Sequence, residues 1–237
     1  KGVRGQTTRD DDSLMELLVA DTHDTILFFT NRGRVYSSKV WKLPAESSRT
    51  TKGTHLVQYL NLKEEERVQT ILDVSAMNMG LHLVLGTRLG EVKRMHLEEI
   101  ANLRSNGLNA MDIEPGDELV AARIARDTDE VLMVSRDGFS IRFPVGEVPS
   151  RSRAAGGVKG MNVKVRENDS VVAMDVVVPG LQLLVICERG IGKPTSVAKY
   201  KRQNRGGVGL GTMRITDKSG PLAAARIVAE GEDILIV

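Results

Sequence analysis

The sequence predicts an all-β protein, built as a row of repeated four-stranded antiparallel sheets. Three observations lead there. Apolar runs of about five residues sit on both sides of turn glycines. The succession of run, glycine and second run returns four times, at intervals of about fifty residues. Nowhere does a helical period persist; Leu97–Ile100 fits one helical turn and no more.

The first runs are Thr25–Phe29, Leu81–Leu85, Glu130–Val134 and Leu183–Cys187, and they lead to Gly33, Gly90, Gly138 and Gly190. A second, alternating run follows each glycine, as in Arg34-Val35-Tyr36-Ser37 and Phe139-Ser140-Ile141-Arg142. Apolar runs flanking Asn-Arg-Gly or Asp-Gly read as β-hairpins, because glycine supplies the positive φ that such turns need. A second anchor comes next. Arg49 to Gly53, Arg153 to Gly157 and Arg205 to Gly209 share the spacing Arg-x-x-x-Gly, while Arg104 to Gly107 is one residue shorter. Two further strand-like stretches close each unit, of the kinds Met161–Val165 and Val171–Met174.

The hairpin glycines lie 57, 48 and 52 residues apart, and the second glycines 54, 50 and 52 apart. A fixed period of this length, with about four strands in each period, predicts propeller-like blades. A blade alone cannot bury its apolar faces, so neighbours must stack. The expected blades are 14–75, 76–127, 128–178 and 179–229, with the start of a fifth at 230–237, so that the chain reads as one domain and as a fragment.

Composition excludes several classes. One Cys in 237 residues rules out a disulfide framework and a Cys-rich zinc site, and a cytoplasmic location is the expectation. No apolar run reaches the length of a membrane span, and Lys1–Gly5 lacks the apolar stretch of a signal peptide. Aromatic residues make up 3%, too few for a single-strand binder built on stacking platforms.

The net charge of +2 conceals a segregation. The four stretches from hairpin glycine to second glycine hold sixteen basic residues: Arg34, Lys39, Lys42, Arg49, Lys52, Lys93, Arg94, Arg104, Arg142, Arg151, Arg153, Lys193, Lys199, Lys201, Arg202 and Arg205. Only five acids accompany them, so these stretches carry +11 and the rest of the chain −9. Equivalent positions of a circular array fall on one rim, which predicts a positive belt. Such a belt, without interleaved aromatics, suits the phosphates of duplex DNA and reads no sequence. Trp41, in the first basic stretch, either packs beneath the rim or touches the DNA sugar backbone; packing is the expectation.

Four stretches carry a family resemblance: Thr22-His23-Asp24 followed by Ile26–Phe29, Arg32-Gly33-Arg34-Val35-Tyr36, Leu43-Pro44-Ala45, and Gly190-Ile191-Gly192-Lys193-Pro194-Thr195. Over essentially its whole length the chain resembles the C-terminal domain of the DNA gyrase A subunit, the β-pinwheel, which usually has six blades. The resemblance implies a domain that wraps duplex DNA and supports ATP-dependent negative supercoiling by an A2B2 holoenzyme. The partners it implies are the gyrase A breakage-reunion region and the gyrase B subunit, in the bacterial cytoplasm at the nucleoid. It implies no cofactor for the domain itself, ATP and Mg belonging to the holoenzyme, and a catalytic tyrosine outside this chain, so that Tyr36, Tyr59 and Tyr200 are not that residue. The family's box, Gln-Arg-Arg-Gly-Gly-Lys-Gly, would end at Lys1-Gly2, which adds Lys1 to the DNA-binding set. Gln203–Gly209 resembles a degenerate copy, with five matches of seven. The A subunit of topoisomerase IV is the alternative within the family; the Thr-His-Asp entry and the regular blade count favour gyrase. An alternative of another class is a propeller-type protein-interaction scaffold, but its Gly-His and Trp-Asp signatures are absent.

Other motifs fall away. Gly192-Lys193 lacks the first glycine of a P-loop and continues into Pro194. Gly207–Gly211 has no strand-to-helix setting for a dinucleotide. His23, His55, His82 and His96 lack ligand spacing; His23 is expected to shape the entry of the first blade by hydrogen bonding. Cys187 reads as a small buried hydrophobe, and Asp10-Asp11-Asp12 as a solvated linker.

Overall fold

In the computed structural model, which describes residues 18–44, 55–75, 80–103 and 106–233, fifteen strands form four antiparallel sheets. The strands are β1 (Thr25–Thr30), β2 (Arg34–Lys39), β3 (Val68–Val74), β4 (His82–Thr87), β5 (Glu91–His96), β6 (Leu108–Asn109), β7 (Leu119–Ala125), β8 (Glu130–Ser135), β9 (Phe139–Pro144), β10 (Val158–Lys159), β11 (Val171–Val176), β12 (Gln182–Cys187), β13 (Gly192–Ser196), β14 (Leu210–Gly211) and β15 (Leu222–Val228). One short helix, α1 (Leu56–Tyr59), was not anticipated. The helical turn expected at Leu97–Ile100 is present as a 3₁₀ turn, and 3₁₀ turns also follow β2, β9 and β13.

Each sheet is centred on the first strand of a unit. β1, β4, β8 and β12 each pair with their hairpin partner on one side and with the unit's last long strand on the other. Beside the hairpin turn, every central pair carries a register shift, at Phe29/Thr30, Gly86/Thr87, Val171/Ala173 and Ile186/Cys187. A bulge repeated at one place bends each sheet in the same way.

The sequence reading kept the strands of a unit together. The structure instead hands one strand forward. The sheets run β3-β1-β2-β6, β10-β5-β4-β7 and β11-β8-β9-β14, so the two-residue outer strand of each comes from the unit that follows. Among the described residues the fourth sheet has three strands, β13-β12-β15.

The hairpin glycines explain how this exchange is tolerated. The carbonyl of Gly33 accepts from the amides of Ala110 and Met111, that of Gly90 from Gly160 and Met161, and that of Gly138 from Thr212 and Met213. The incoming chain therefore lies directly against the turn. A Cβ on Gly90 or Gly138 would sit 2.1 Å from the carbonyl oxygen of Met161 or Met213, and both residues have φ near +90 (+92 and +85). No larger residue satisfies both demands.

Stacking between sheets supplies the core. β1 sends Leu27 and Phe29 toward Leu83 and Leu85 of β4. β4 sends Val84 the other way, toward Val131 and Met133 of β8, whose Leu132 and Val134 meet Leu183 and Val185 of β12. Strands covered on both faces need continuous apolar runs rather than alternation, which is why the first run of each unit reads as unbroken. Cys187 is buried in the last of these clusters, as a small apolar side chain.

These contacts set one test. Gly190 has φ +76 but nothing within 4 Å of a Cβ, whereas Gly138 is pressed by Met213. Gly190→Ala is expected to cost about 1–2 kcal/mol, the strain of a left-handed residue. Gly138→Ala is expected to cost at least twice that, because the outer strand must also move. Urea midpoints of the two variants measure the difference.

Candidate nucleic-acid interface

Of the seventeen predicted cations, Lys1, Arg49, Lys52 and Arg104 lie outside the described residues, as do Asp10, Asp11 and Asp12. The remaining thirteen divide into two groups by where they point.

One group faces inward and holds main chain or a carboxylate. Lys93 was expected on the rim, yet it is wholly buried. Its ammonium donates to the carbonyls of Ala110 at 2.7 Å, Arg153 at 2.9 Å and Ala155 at 2.7 Å. It thus ties β5 both to the residue after β6 and to the loop that leads into β10. Arg34 donates to Asn106 O at 2.6 Å and pairs with the buried Glu66 at 3.2 Å, and Glu66 also accepts from Tyr36 at 2.7 Å. Burial, then that carboxylate, holds the Tyr36 hydroxyl above the usual range. Arg142 pairs with Glu130 and donates to Val197 O at 2.9 Å and Tyr200 O at 3.2 Å. Arg94 pairs with Asp127, with its side chain 12% exposed. Arg205, half-buried, donates to Glu147 O at 3.0 Å and Lys159 O at 3.1 Å. Lys93 is therefore corrected from a rim contact to a strut, while Arg34, Arg94, Arg142 and Arg205, partly exposed, turn their heads onto carbonyls or carboxylates. The Lys93 ammonium has its three donors taken by carbonyls and none to offer a phosphate.

The other group faces solvent: Lys39 and Lys42 in the first unit, Arg151 and Arg153 in the third, and Lys193, Lys199, Lys201 and Arg202 in the fourth. The belt expected from every unit is thus interrupted at the second, which among the described residues presents no exposed member of the predicted set. Acids also enter it. Glu147 lies 3.7 Å from Arg202, and a Glu99 oxygen accepts from the Arg153 amide at 3.2 Å.

Arg151 and Arg153 of the third unit and Lys201 and Arg202 of the fourth sit on loops laid across the preceding sheet, whereas Lys193 is on β13 and Lys199 on the 3₁₀ turn after it. Arg151 N donates to Arg94 O at 2.9 Å and Gln203 N to Arg142 O at 2.8 Å, with parallel bridges Arg94–Ser150 and Arg142–Arg202 beside them. The residue pairs 151/203 and 153/205 occupy equivalent places. Lys193, Lys199, Lys201 and Arg142 also line one open cavity of about 360 Å³, with the hydroxyls of Ser140, Thr195, Tyr200 and Thr212. Burial pushes the Tyr200 hydroxyl up, against the opposing effect of Thr195 and Thr212. A cavity walled by cations and hydroxyls suits an anionic oxygen.

Sequence reasoning missed Lys159. It is exposed on β10. It stands two residues past the second glycine of its unit, and strand exchange brings it beside Arg205; knowledge of that exchange is the signal that would have found it.

Trp41 was expected beneath the rim and is instead 63% exposed. His23 holds the entry turn mainly through its backbone. Its amide donates to Asp21 Oδ1 at 2.9 Å and its carbonyl accepts from Lys39 at 3.0 Å, while its ring is 93% exposed. The Gly192–Ser196 stretch is strand β13, a setting no phosphate-binding loop uses. Among the described residues no three His, Cys, Asp or Glu side chains could hold a metal ion, and no helix is long and apolar enough to cross a membrane.

Lys93 gives a measurable consequence. Burial lowers it from 10.5 to about 8, with Arg151 adding to the effect and Glu99 and Asp112 opposing it. Between those two pH values the unfolded chain binds a proton that the folded chain does not, so this group's contribution to stability rises with pH across the window. As a neutral amine it still supplies two of the three donors. Lys93→Met is expected to cost at least about 1–3 kcal/mol at pH 7, the penalty for one buried acceptor left without a donor. Its deficit against the wild type is expected to widen from pH 8 to 10.5, which urea denaturation at a series of pH values measures.

Comparison with known proteins follows the same repeats. The family model described as DNA gyrase C-terminal domain, beta-propeller, matches residues 1–21, 24–75, 81–126, 129–177 and 182–229. The DNA gyrase A protein of Dehalogenimonas lykanthroporepellens is 38% identical over 229 residues, covering 97% of this chain and 28% of that protein. That of Deinococcus deserti is 37% identical over 241 residues, covering 100% of this chain and 30% of that protein. The chain thus spans less than a third of the length of these curated relatives. A solved DNA gyrase A C-terminal domain shares the fold with a TM-score of 0.77 at 22% identity, over 97% of this chain and 76% of that one. The repeats, the exchanged strands and these matches agree: the chain belongs to the DNA gyrase C-terminal domain family.

Proposed function

We propose that this chain binds duplex DNA without sequence preference and wraps it along the face that carries Arg151, Arg153, Lys159, Lys193, Lys199, Lys201 and Arg202, continuing to Lys39 and Lys42. The carrying observation is the division among the cations. Five of the predicted cations turn inward onto main chain or carboxylates and eight face solvent, with Arg151, Arg153, Lys201 and Arg202 on loops laid across the preceding sheet and Arg151 and Arg153 at the same places as Gln203 and Arg205. Lysines and arginines held on a rigid β scaffold in three of the four units suit the phosphates of a duplex that runs from unit to unit. Smooth bending by 40–90° over 20–30 base pairs costs about 1–6 kcal/mol. Contacts from several units offset that, whereas one patch would not.

In the whole protein we assign the chain to the A protein of a DNA gyrase, a type IIA topoisomerase. There the wrap would feed a duplex segment to the breakage-reunion region, so that ATP-driven passage introduces negative supercoils. Chemistry resides elsewhere: the catalytic tyrosine belongs to the breakage-reunion region, ATP and Mg to the A2B2 holoenzyme formed with the gyrase B protein, and this domain works without a cofactor. The assembly acts in the cytoplasm, at the nucleoid. Tyr36, buried against Glu66, fits a structural part.

Two readouts test the proposal. Reversal of Arg151 and Arg153, or of Lys199 and Lys201, to Glu is expected to weaken binding to any duplex. The salt slope should fall by about 1 for each phosphate that is no longer engaged. Relaxed plasmid closed by ligase in the presence of the chain is expected to show a shifted linking number. Binding with an unshifted distribution at saturation overturns the wrap; unaltered salt slopes in both double variants overturn the interface.

A further inference from the structure

Trp41 stands on the 3₁₀ turn Val40–Lys42 that follows β2. The same turn follows β5, β9 and β13, and its internal register is constant. Its first residue packs inward, with Leu97, Val145 and Val197 buried and Val40 partly so. Its second residue faces solvent in all four units, being Trp41, Glu98, Gly146 and Ala198. Glutamate, glycine and alanine fill this position without loss of the turn, so the fold does not require an indole there.

The exposure of Trp41 does not come from a loose loop. The amides of Val40 and Trp41 donate to Asp24 O at 3.1 Å and Thr22 O at 3.2 Å, and Leu43 N closes the turn on Val40 O at 3.0 Å. Lys39 pins the same place from the side, on His23 O. The backbone is fixed, and it carries the chain's one tryptophan outward at 63% exposure. Lys42 places its ammonium 5.2 Å from the ring centroid, so a cation and an aromatic plane are presented together.

Resting on the DNA-wrapping reading above, we propose that Trp41 is a DNA contact: its indole packs on the deoxyribose edge of the duplex beside a phosphate engaged by Lys42. The deoxyribose edge is apolar, is flanked by phosphates and is the same at every base pair. An indole beside an ammonium matches it in shape and charge without reading sequence. Being neutral, the ring adds affinity that salt does not screen, unlike the cations around it.

The single tryptophan makes the test direct. Acrylamide quenching of its fluorescence in the full chain is measured with and without a random-sequence duplex, while anisotropy of the labelled duplex reports binding. Bound duplex is expected to shield Trp41 from acrylamide. Trp41→Ala is expected to raise Kd roughly tenfold, the scale of one aromatic contact to nucleic acid, with the salt slope unchanged, and Trp41→Phe to recover part of the loss. Binding that leaves acrylamide access unaltered overturns the inference and spares the wrapping proposal, as does a Trp41→Ala variant that loses salt slope instead of salt-independent affinity. Absence of duplex binding by the wild type overturns both.

Discussion

The structure depends on the transfer of two residues from each unit to the sheet before it. β6, β10 and β14 are too short to stand as strands by themselves, yet each completes a sheet and then binds the carbonyl of the preceding hairpin glycine. The exchange turns a row of small sheets into one continuous body, because no unit can leave without breaking the edge of its neighbour. Apolar stacking between β1, β4, β8 and β12 supplies the bulk of the burial, but it is nondirectional. The exchanged strands fix the register of one unit on the next.

Positive charge serves this exchange before it serves any ligand. Where a loop crosses a neighbouring sheet, the carbonyls at the crossing need donors. Lys93, Arg34, Arg142 and Arg205 provide them, each from a different unit or to a different loop. Their heads are immobilised at the same edge where Arg151, Arg153, Lys199 and Lys201 project outward. One compositional bias therefore has two physical meanings, a lattice of internal struts and an external field. The struts hold the loops that carry the field, so the two are coupled.

Much of this was legible in the sequence. Turn glycines flanked by apolar runs marked the hairpins, and their fifty-residue period marked the stacking. The exchange was not legible, since a two-residue strand has no periodicity and its partner lies in another unit. The direction of the basic side chains was partly legible. Lys93 lies two residues before Met95 on β5, and a period of two puts both on one face, where both are buried. Arg142 gave no such signal. It lies opposite Ile141 and Phe143 and is covered only because residues 197–202 fold across it. Trp41 misled for a related reason: composition favours burying an indole, whereas its position within the turn faces outward in every unit.

Native-state hydrogen exchange tests the central claim most directly. The amides of Ala110, Met111, Gly160, Met161, Thr212 and Met213 donate to hairpin-glycine carbonyls across unit boundaries. They are predicted to exchange as slowly as the central amides of β4 and β8, in a single cooperative opening. Exchange at the rate of exposed loops, with β4 and β8 still protected, would contradict an architecture held together by handed-on strands.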